Sequence, residues 1–296
     1  MRRWFHAFRL RTLPLAISSI VTGSSLAHFQ GTFRWSVLLL ALTTAILLQV
    51  LSNLANDLGD HQHGTDNIAR VGPPRAVQSG AISPAAMILA MVICGSLAFG
   101  SGIALIIVAT GFSLTSLAFL ALGLAATGAA IKYTYGSAPY GYAGLGDASV
   151  FIFFGLTGVI GSYYLHTLSF DPVVVLPAIG IGLLSTGVLN VNNMRDIHND
   201  AVSGKRTLAV RLGPARASQY HAAIIWGGVV AMAASVINDY RGLVQLVFIP
   251  FLLLPLLHLF RVRPISQPER LDPELKRLAM GTFAIALSFS IGHFLA

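Results

Sequence analysis

Five of the eleven acidic residues lie in two short segments. The first reads Asn53-Leu-Ala-Asn56-Asp57-Leu-Gly-Asp60-His-Gln-His-Gly64-Thr-Asp66. The second reads Asn192-Asn193-Met-Arg195-Asp196-Ile-His-Asn199-Asp200, followed by Gly204-Lys205-Arg206-Thr207. On a helix, Asn53, Asp57 and Asp60 fall at i, i+4 and i+7, and Asn193, Asp196 and Asp200 at i, i+3 and i+7, each set on one face. Carboxylates held this close repel unless a cation lies between them. Magnesium is the natural candidate, because it takes oxygen ligands in an octahedron usually completed by substrate phosphates. Arg70, Arg75, Lys205 and Arg206 follow the acids and suit the outer oxygens of a diphosphate.

The elements that carry these segments are read from composition. Of 296 residues, 55% are hydrophobic and 10% are charged, where soluble domains carry roughly 25% charged residues. Lipid is therefore the expected solvent. A spanning helix needs about 20 mainly apolar residues, and nine stretches qualify: roughly 13–29, 35–56, 85–108, 112–131, 143–165, 173–194, 219–237, 243–260 and 278–295. Residues 109–112 must then form a tight turn. Gly, Ala and Ser recur in many spans and permit close helix approach.

Lys and Arg orient the chain. With the N-terminus cytoplasmic, one face holds Arg2, Arg3, Arg9 and Arg11, then Arg70 and Arg75, then Lys132. Arg195, Lys205, Arg206, Arg211 and Arg216 follow there, then Arg261, Arg263, Arg270, Lys276 and Arg277. Only Arg34 and Arg241 fall outside, as the positive-inside rule requires. The net charge of +8 and pI near 10.1 thus express topology and not nucleic-acid binding. No small-residue cleavage site stands near Ala27, so the first apolar stretch reads as an uncleaved helix. The lone Cys94 reads as a small buried hydrophobe.

Both acidic segments open long cytoplasmic loops, about 57–84 and 195–218. These share a local pattern, Arg70-Val-Gly-Pro-Pro-Arg75-Ala against Arg211-Leu-Gly-Pro-Ala-Arg216-Ala. A repeat of this kind would set both motifs around one cavity. Zinc on His61, His63 and His198 fits less well, since His61 and His63 diverge on a helix. Ion-coupled transport is a further reading, although transporters place their sites at the midplane. A third polar stretch, Lys132-Tyr133-Thr-Tyr135-Gly136-Ser-Ala-Pro139-Tyr140-Gly141-Tyr142-Ala-Gly144-Leu-Gly146-Asp147, offers interfacial tyrosines. Their faces would also stabilise a carbocation.

Asn56-Asp57-x-x-Asp60, Asp196-x-x-x-Asp200 and nine spans resemble the UbiA superfamily of intramembrane aromatic prenyltransferases. Gly64-x-Asp66, Arg70-Val-Gly-Pro-x-Arg75-Ala-x-Gln78-x-Gly80, Tyr133-Thr-x-Gly136-x-x-Pro139-Tyr-Gly-Tyr142 and Gly204-Lys-Arg-Thr-Leu-Ala-Val-Arg-Leu-Gly213 resemble its 1,4-dihydroxy-2-naphthoate branch. So does Arg9-Leu-Arg11-Thr12-Leu-Pro14. The resemblance covers residues 9–213; the last three spans match in hydropathy alone. It departs at Gly64, where the superfamily often has a third Asp and where Asp66 stands two residues on.

The resemblance implies an all-α, nine-helix bundle around a central cavity, one domain over residues 1–296, with its site facing the cytoplasm of an inner membrane. It implies Mg²⁺ on Asp57, Asp60, Asp196 and Asp200, with Asn53, Asn56 and Asp66 as further oxygen donors. Lys205, Arg206, Arg75, Arg70, Lys132 and Asn193 would bind diphosphate. Tyr133, Tyr135, Tyr142, Arg9 and Arg11 would meet the prenyl and aromatic substrates, Arg9 or Arg11 taking the aromatic carboxylate. The implied reaction joins a polyprenyl diphosphate to 1,4-dihydroxy-2-naphthoate with loss of carbon dioxide. Another acceptor, 4-hydroxybenzoate or homogentisate, stays open.

Overall fold

The computed structural model describes residues 2–67, 71–237, 240–262 and 268–296; Arg70 and Arg263 lie outside them. The described chain is helical and contains no strand. Its helices are α1 (Arg2–Phe8), α2 (Leu13–Phe29), α3 (Trp35–Gln62), α4 (Pro84–Thr110), α5 (Leu114–Lys132) and α6 (Gly146–Thr167). Then follow α7 (Pro172–Arg195), α8 (Ile197–Val202), α9 (Leu208–Ala234), α10 (Leu243–Arg261) and α11 (Pro268–Leu295). Among the described residues, seven of these, α3 to α7, α10 and α11, are long and apolar enough to cross a membrane. The expected stretches at 13–29 and 219–237 are also helical: α2 has 17 residues, and the second stretch is the later part of α9.

Local chemistry sets the ends. Ser83 accepts from the Ala86 N–H, with Pro84 opening α4, where a missing N–H costs nothing. The expected tight turn runs from Thr110 to Leu114, with Gly111 at φ 63° and a Ser113–Ser116 capping box. In α9, Gly213 at φ 74° leaves helical geometry and Pro214 follows. Proline lacks the N–H to continue the ladder, so the loop after Asp200 ends in a broken helix. At the opposite end of the bundle from the acidic motifs, Arg34 donates to the carbonyls of Val108 and Ala109 at 3.3 and 3.2 Å and also to that of Leu165. It thereby satisfies the carbonyl-bearing ends of α4 and α6.

α2 packs on α3, α6 and α11; α7 packs on α6, α9 and α11; and α11 packs on α10. The last long helix thus seats against the first, closing a ring. Between α6 and α7 the backbones nearly touch: a Cβ on Gly155 would lie 2.6 Å from the Ala178 carbonyl oxygen and 2.8 Å from the Gly182 Cα. Only small residues allow that approach. α5 buries no residue and stands at the periphery. Among the described residues the ring encloses a cavity of about 380 Å³, polar at the end where α3 and α7 finish and apolar toward Leu105, Phe119 and Leu165.

Candidate active site

The polar end of the cavity is built from the C-terminal turns of α3 and α7 and from the loops after α3, α5 and α8. Asn53, Asn56 and Asp60 line it from α3, and Asn192, Asn193, Asp196, Asn199 and Asp200 line it from α7 and α8. Lys205 bridges the two motifs: its Nζ lies 3.4 Å from Asp60 Oδ1 and 3.9 Å from Asp200 Oδ1. The side chains of Asp60, Asp200 and Lys205 are all 10% exposed or less, so these charges meet in a poorly hydrated space where they act strongly on one another.

The loops are knitted around Asp60. Tyr142 donates its hydroxyl to Asp60 Oδ1 at 2.9 Å and exchanges a 2.6 Å hydrogen bond with Thr65. The Asn199 amide donates to the Thr65 carbonyl at 2.8 Å, and the Arg206 N–H to the Tyr142 carbonyl at 3.0 Å. Thr134 donates to Asn56 Oδ1 at 2.8 Å. Lys205 also lies 5.2 Å from the centre of the Tyr142 ring, within cation–π range.

Burial pushes the Asp200 carboxyl up to about 7, against the pull of Lys205 and with the help of Asp196 and Asp60. Burial also disfavours the Lys205 charge, but Asp60 and Asp200 outweigh it and hold the ammonium above its ordinary range. Burial, then Asp60, drives the Tyr142 hydroxyl upward, keeping it a donor. Asp196 is held differently. Arg195, fully buried, donates Nε to Asp196 Oδ1 at 2.9 Å and Nη2 to Oδ2 at 2.6 Å, and Nη1 to Asp272 at 2.5 Å.

Several expected residues sit elsewhere. Asp57 shares neither the cavity nor the face assigned to it: its carboxylate accepts the N–H groups of Ala76 and Val77, each at 3.1 Å. At about 100° per residue it stands roughly 60° round the helix from Asp60, and the cavity centres on the Asn56–Asp60 side. Asn53 does line the cavity, but its amide is spent on the Phe8 carbonyl and Thr12, tying down the N-terminal segment. Asp66 pairs with Arg75 at 3.7 Å. Arg9, Arg75 and Tyr133 reach the cavity. Arg11 instead pairs with Asp272 at 3.6 Å, and Tyr135 packs beside the apolar cluster around Leu54. Lys132 and Arg206 are exposed and stand outside the cavity lining. The sequence reading missed Asn199 and Asp272. Asn199 has a visible signal, i+3 from Asp196; Asp272, on a helix read only by hydropathy, has none.

Magnesium fits this donor set. Among the described residues no three His, Cys, Asp or Glu side chains converge into a ready metal site. A magnesium site that shares its shell with substrate phosphates needs only one or two carboxylates. Asp60, Asp200 and the flanking asparagines offer hard oxygens, and Asp200 Oδ2 is buried without a hydrogen-bond partner. An anion also fits, because Arg9, Arg75 and Lys205 all act electrostatically on Asp60.

Fold and site together define a helical, multi-pass membrane protein with a charged pocket at the head of an apolar cavity. Residues 16–291 match the UbiA prenyltransferase family, and the chain belongs to that family and is a prenyltransferase. The 1,4-dihydroxy-2-naphthoate octaprenyltransferase of Haemophilus influenzae is 45% identical over 297 residues, covering 99% of this chain and 96% of the relative. That of Escherichia coli is 43% identical over 296 residues, covering 99% and 95%. Among solved structures, a UbiA homolog from Aeropyrum pernix superposes with a TM-score of 0.73 at 16% identity, covering 95% of this chain and 97% of that one. A homolog from Archaeoglobus fulgidus, bound to GPP and Mg²⁺, gives 0.66 at 16% identity, covering 97% and 99%.

Proposed function

We propose that this protein transfers a polyprenyl group from its diphosphate to 1,4-dihydroxy-2-naphthoate, with loss of carbon dioxide, in menaquinone biosynthesis. The observation that carries this reading is Lys205 standing between Asp60 and Asp200 at the head of an apolar cavity. Acid, amide and base there suit a metal-bound diphosphate, and the apolar length suits an isoprenoid tail. The likeness to the two bacterial 1,4-dihydroxy-2-naphthoate octaprenyltransferases supports the acceptor.

In this reading the single domain spans an inner membrane nine times, with its N-terminus and active site at the cytoplasm. Asp60, Asp196 and Asp200, with Asn56 and Asn193, would hold Mg²⁺, which supplies a Lewis acid on the diphosphate oxygens. Lys205 and Arg75 neutralise the charge that grows on the departing diphosphate as the C1–O bond breaks. The Tyr133 ring faces the allylic cation, and the apolar walls keep water from it. The electron-rich acceptor ring then attacks C1. Arg9, which also lines the cavity, binds the acceptor carboxylate.

The test is purified protein with magnesium, a polyprenyl diphosphate and 1,4-dihydroxy-2-naphthoate, the product followed by mass, with 4-hydroxybenzoate in parallel and a chelator control. Magnesium-dependent product from the naphthoate alone is expected. Product from 4-hydroxybenzoate alone would overturn the acceptor, and none from either would bring ion-coupled transport forward.

A further inference from the structure

Asp57 is the one acid of the first pair that the cavity does not use, yet it is 1% exposed. A buried carboxylate persists only when its oxygens are satisfied. Here both are, by two consecutive backbone N–H groups of the loop after α3: Ala76 to Oδ2 and Val77 to Oδ1, each at 3.1 Å. Successive N–H groups turned toward one anion form a concave nest, which binds charge strongly.

Those two amides open a compact turn. Ser79 N–H donates to the Arg75 carbonyl at 2.9 Å, Gly80 N–H to Val77 at 3.0 Å and Ile82 N–H to Ala76 at 3.0 Å. Gln78 braces it, accepting from the Arg75 N–H at 3.2 Å and donating to the Asn67 carbonyl at 2.9 Å. The residue directly before the two clamped amides is Arg75, which is 8% exposed and lines the cavity. Of the described residues in this loop, only Thr65 and Arg75 do so.

We infer that Asp57 is a positioning residue: it anchors the turn from Arg75 to Gly80 onto α3 and thereby sets the Arg75 guanidinium against the substrate diphosphate. It is not itself a metal ligand. The geometry explains why an acid is needed there, since a carboxylate alone offers acceptors to both amides. This assignment rests on the prenyl-transfer reading for the role of Arg75, but the anchoring is testable without it.

The experiment compares Asp57→Asn, Asp57→Glu, Asp60→Asn, Arg75→Gln and the Asp57→Asn/Arg75→Gln pair with the full-length protein in detergent. In Asp57→Asn, one acceptor becomes a donor facing an N–H. Hydrogen exchange at Ala76 and Val77, measured without substrate or metal, is expected to accelerate about tenfold. Asp57→Glu, which keeps both oxygens, should restore part of the protection. With substrate, Asp57→Asn should raise KM for the prenyl diphosphate as Arg75→Gln does, and the pair should be no worse than Arg75→Gln alone. Its magnesium half-saturation should stay near wild type, whereas that of Asp60→Asn rises. A magnesium requirement shifted in Asp57→Asn as far as in Asp60→Asn would overturn the assignment. So would unchanged exchange at both amides beside an active wild type. A wild type inactive on prenyl diphosphates, with exchange still accelerated, would instead defeat the functional reading and the Arg75 role while leaving the anchor standing.

Discussion

Arg195 donates Nη1 to Asp272 Oδ1 at 2.5 Å, joining the end of α7 to the start of α11 across 77 residues. The same guanidinium holds both oxygens of Asp196, so the last helix steadies an acid at the cavity. Asp272→Ala should therefore leave the fold intact and lower kcat/KM about tenfold, the size expected for one charged hydrogen bond. Arg195→Met strands Asp196 without its buried partner and should cost about 3 kcal/mol of stability. Thermal unfolding in detergent beside turnover separates the two effects; wild-type activity in Asp272→Ala would remove α11 from the site.

The cations near the motifs should divide sharply by position. Lys205→Met removes the bridge between Asp60 and Asp200 and should lower turnover by about a hundredfold or more, in line with loss of one preorganised charge. Lys132→Met and Arg206→Gln, both exposed, should change it less than about threefold, because surface charges are screened by water and salt. Steady-state assays at fixed magnesium check this, and equal losses at all three positions would defeat the assignment of Lys205.

Metal removal gives a third test. A chelator should abolish product formation, and magnesium should restore it. Asp60→Asn should need more magnesium for half-maximal rate, since an amide is a weaker ligand for a hard cation. Asp196→Ala with Asp200→Ala should abolish turnover while circular dichroism stays helical. Activity surviving that double change would sink the metal assignment.

A fourth prediction concerns packing. A Cβ on Gly59 would lie 2.4 Å from the Thr134 carbonyl oxygen and 2.9 Å from the Tyr135 nitrogen, both backbone atoms. Gly59→Ala should then push the loop after α5 off α3, cost about 1–3 kcal/mol, and impair activity, because Thr134 holds Asn56. Gly100→Ala, where a Cβ meets nothing within 4 Å, should leave both stability and activity within a few tenths of a kcal/mol of wild type or slightly improved. Melting curves for the two variants decide it.

The chemistry proposed for this site was legible because it is written in residue type. Clustered acids with bases behind them imply a bound cation and an anion wherever the helices lie, and apolar runs of sufficient length imply spans. What the sequence by itself determined was the helical class, the stretches that form long helices, and the two polar segments that meet at the cavity. Tertiary structure decided which member of each segment faces the cavity. Asp57 and Asp60 are three residues apart, and a rotation of roughly 60° sends one to a loop and the other to the site. It also decided which cations count, since Lys205 is buried and its neighbour Arg206 is exposed. And it brought Asp272 to Arg195, a contact between helices distant in the chain, because local pattern fixes a face of a helix but only packing chooses its neighbour.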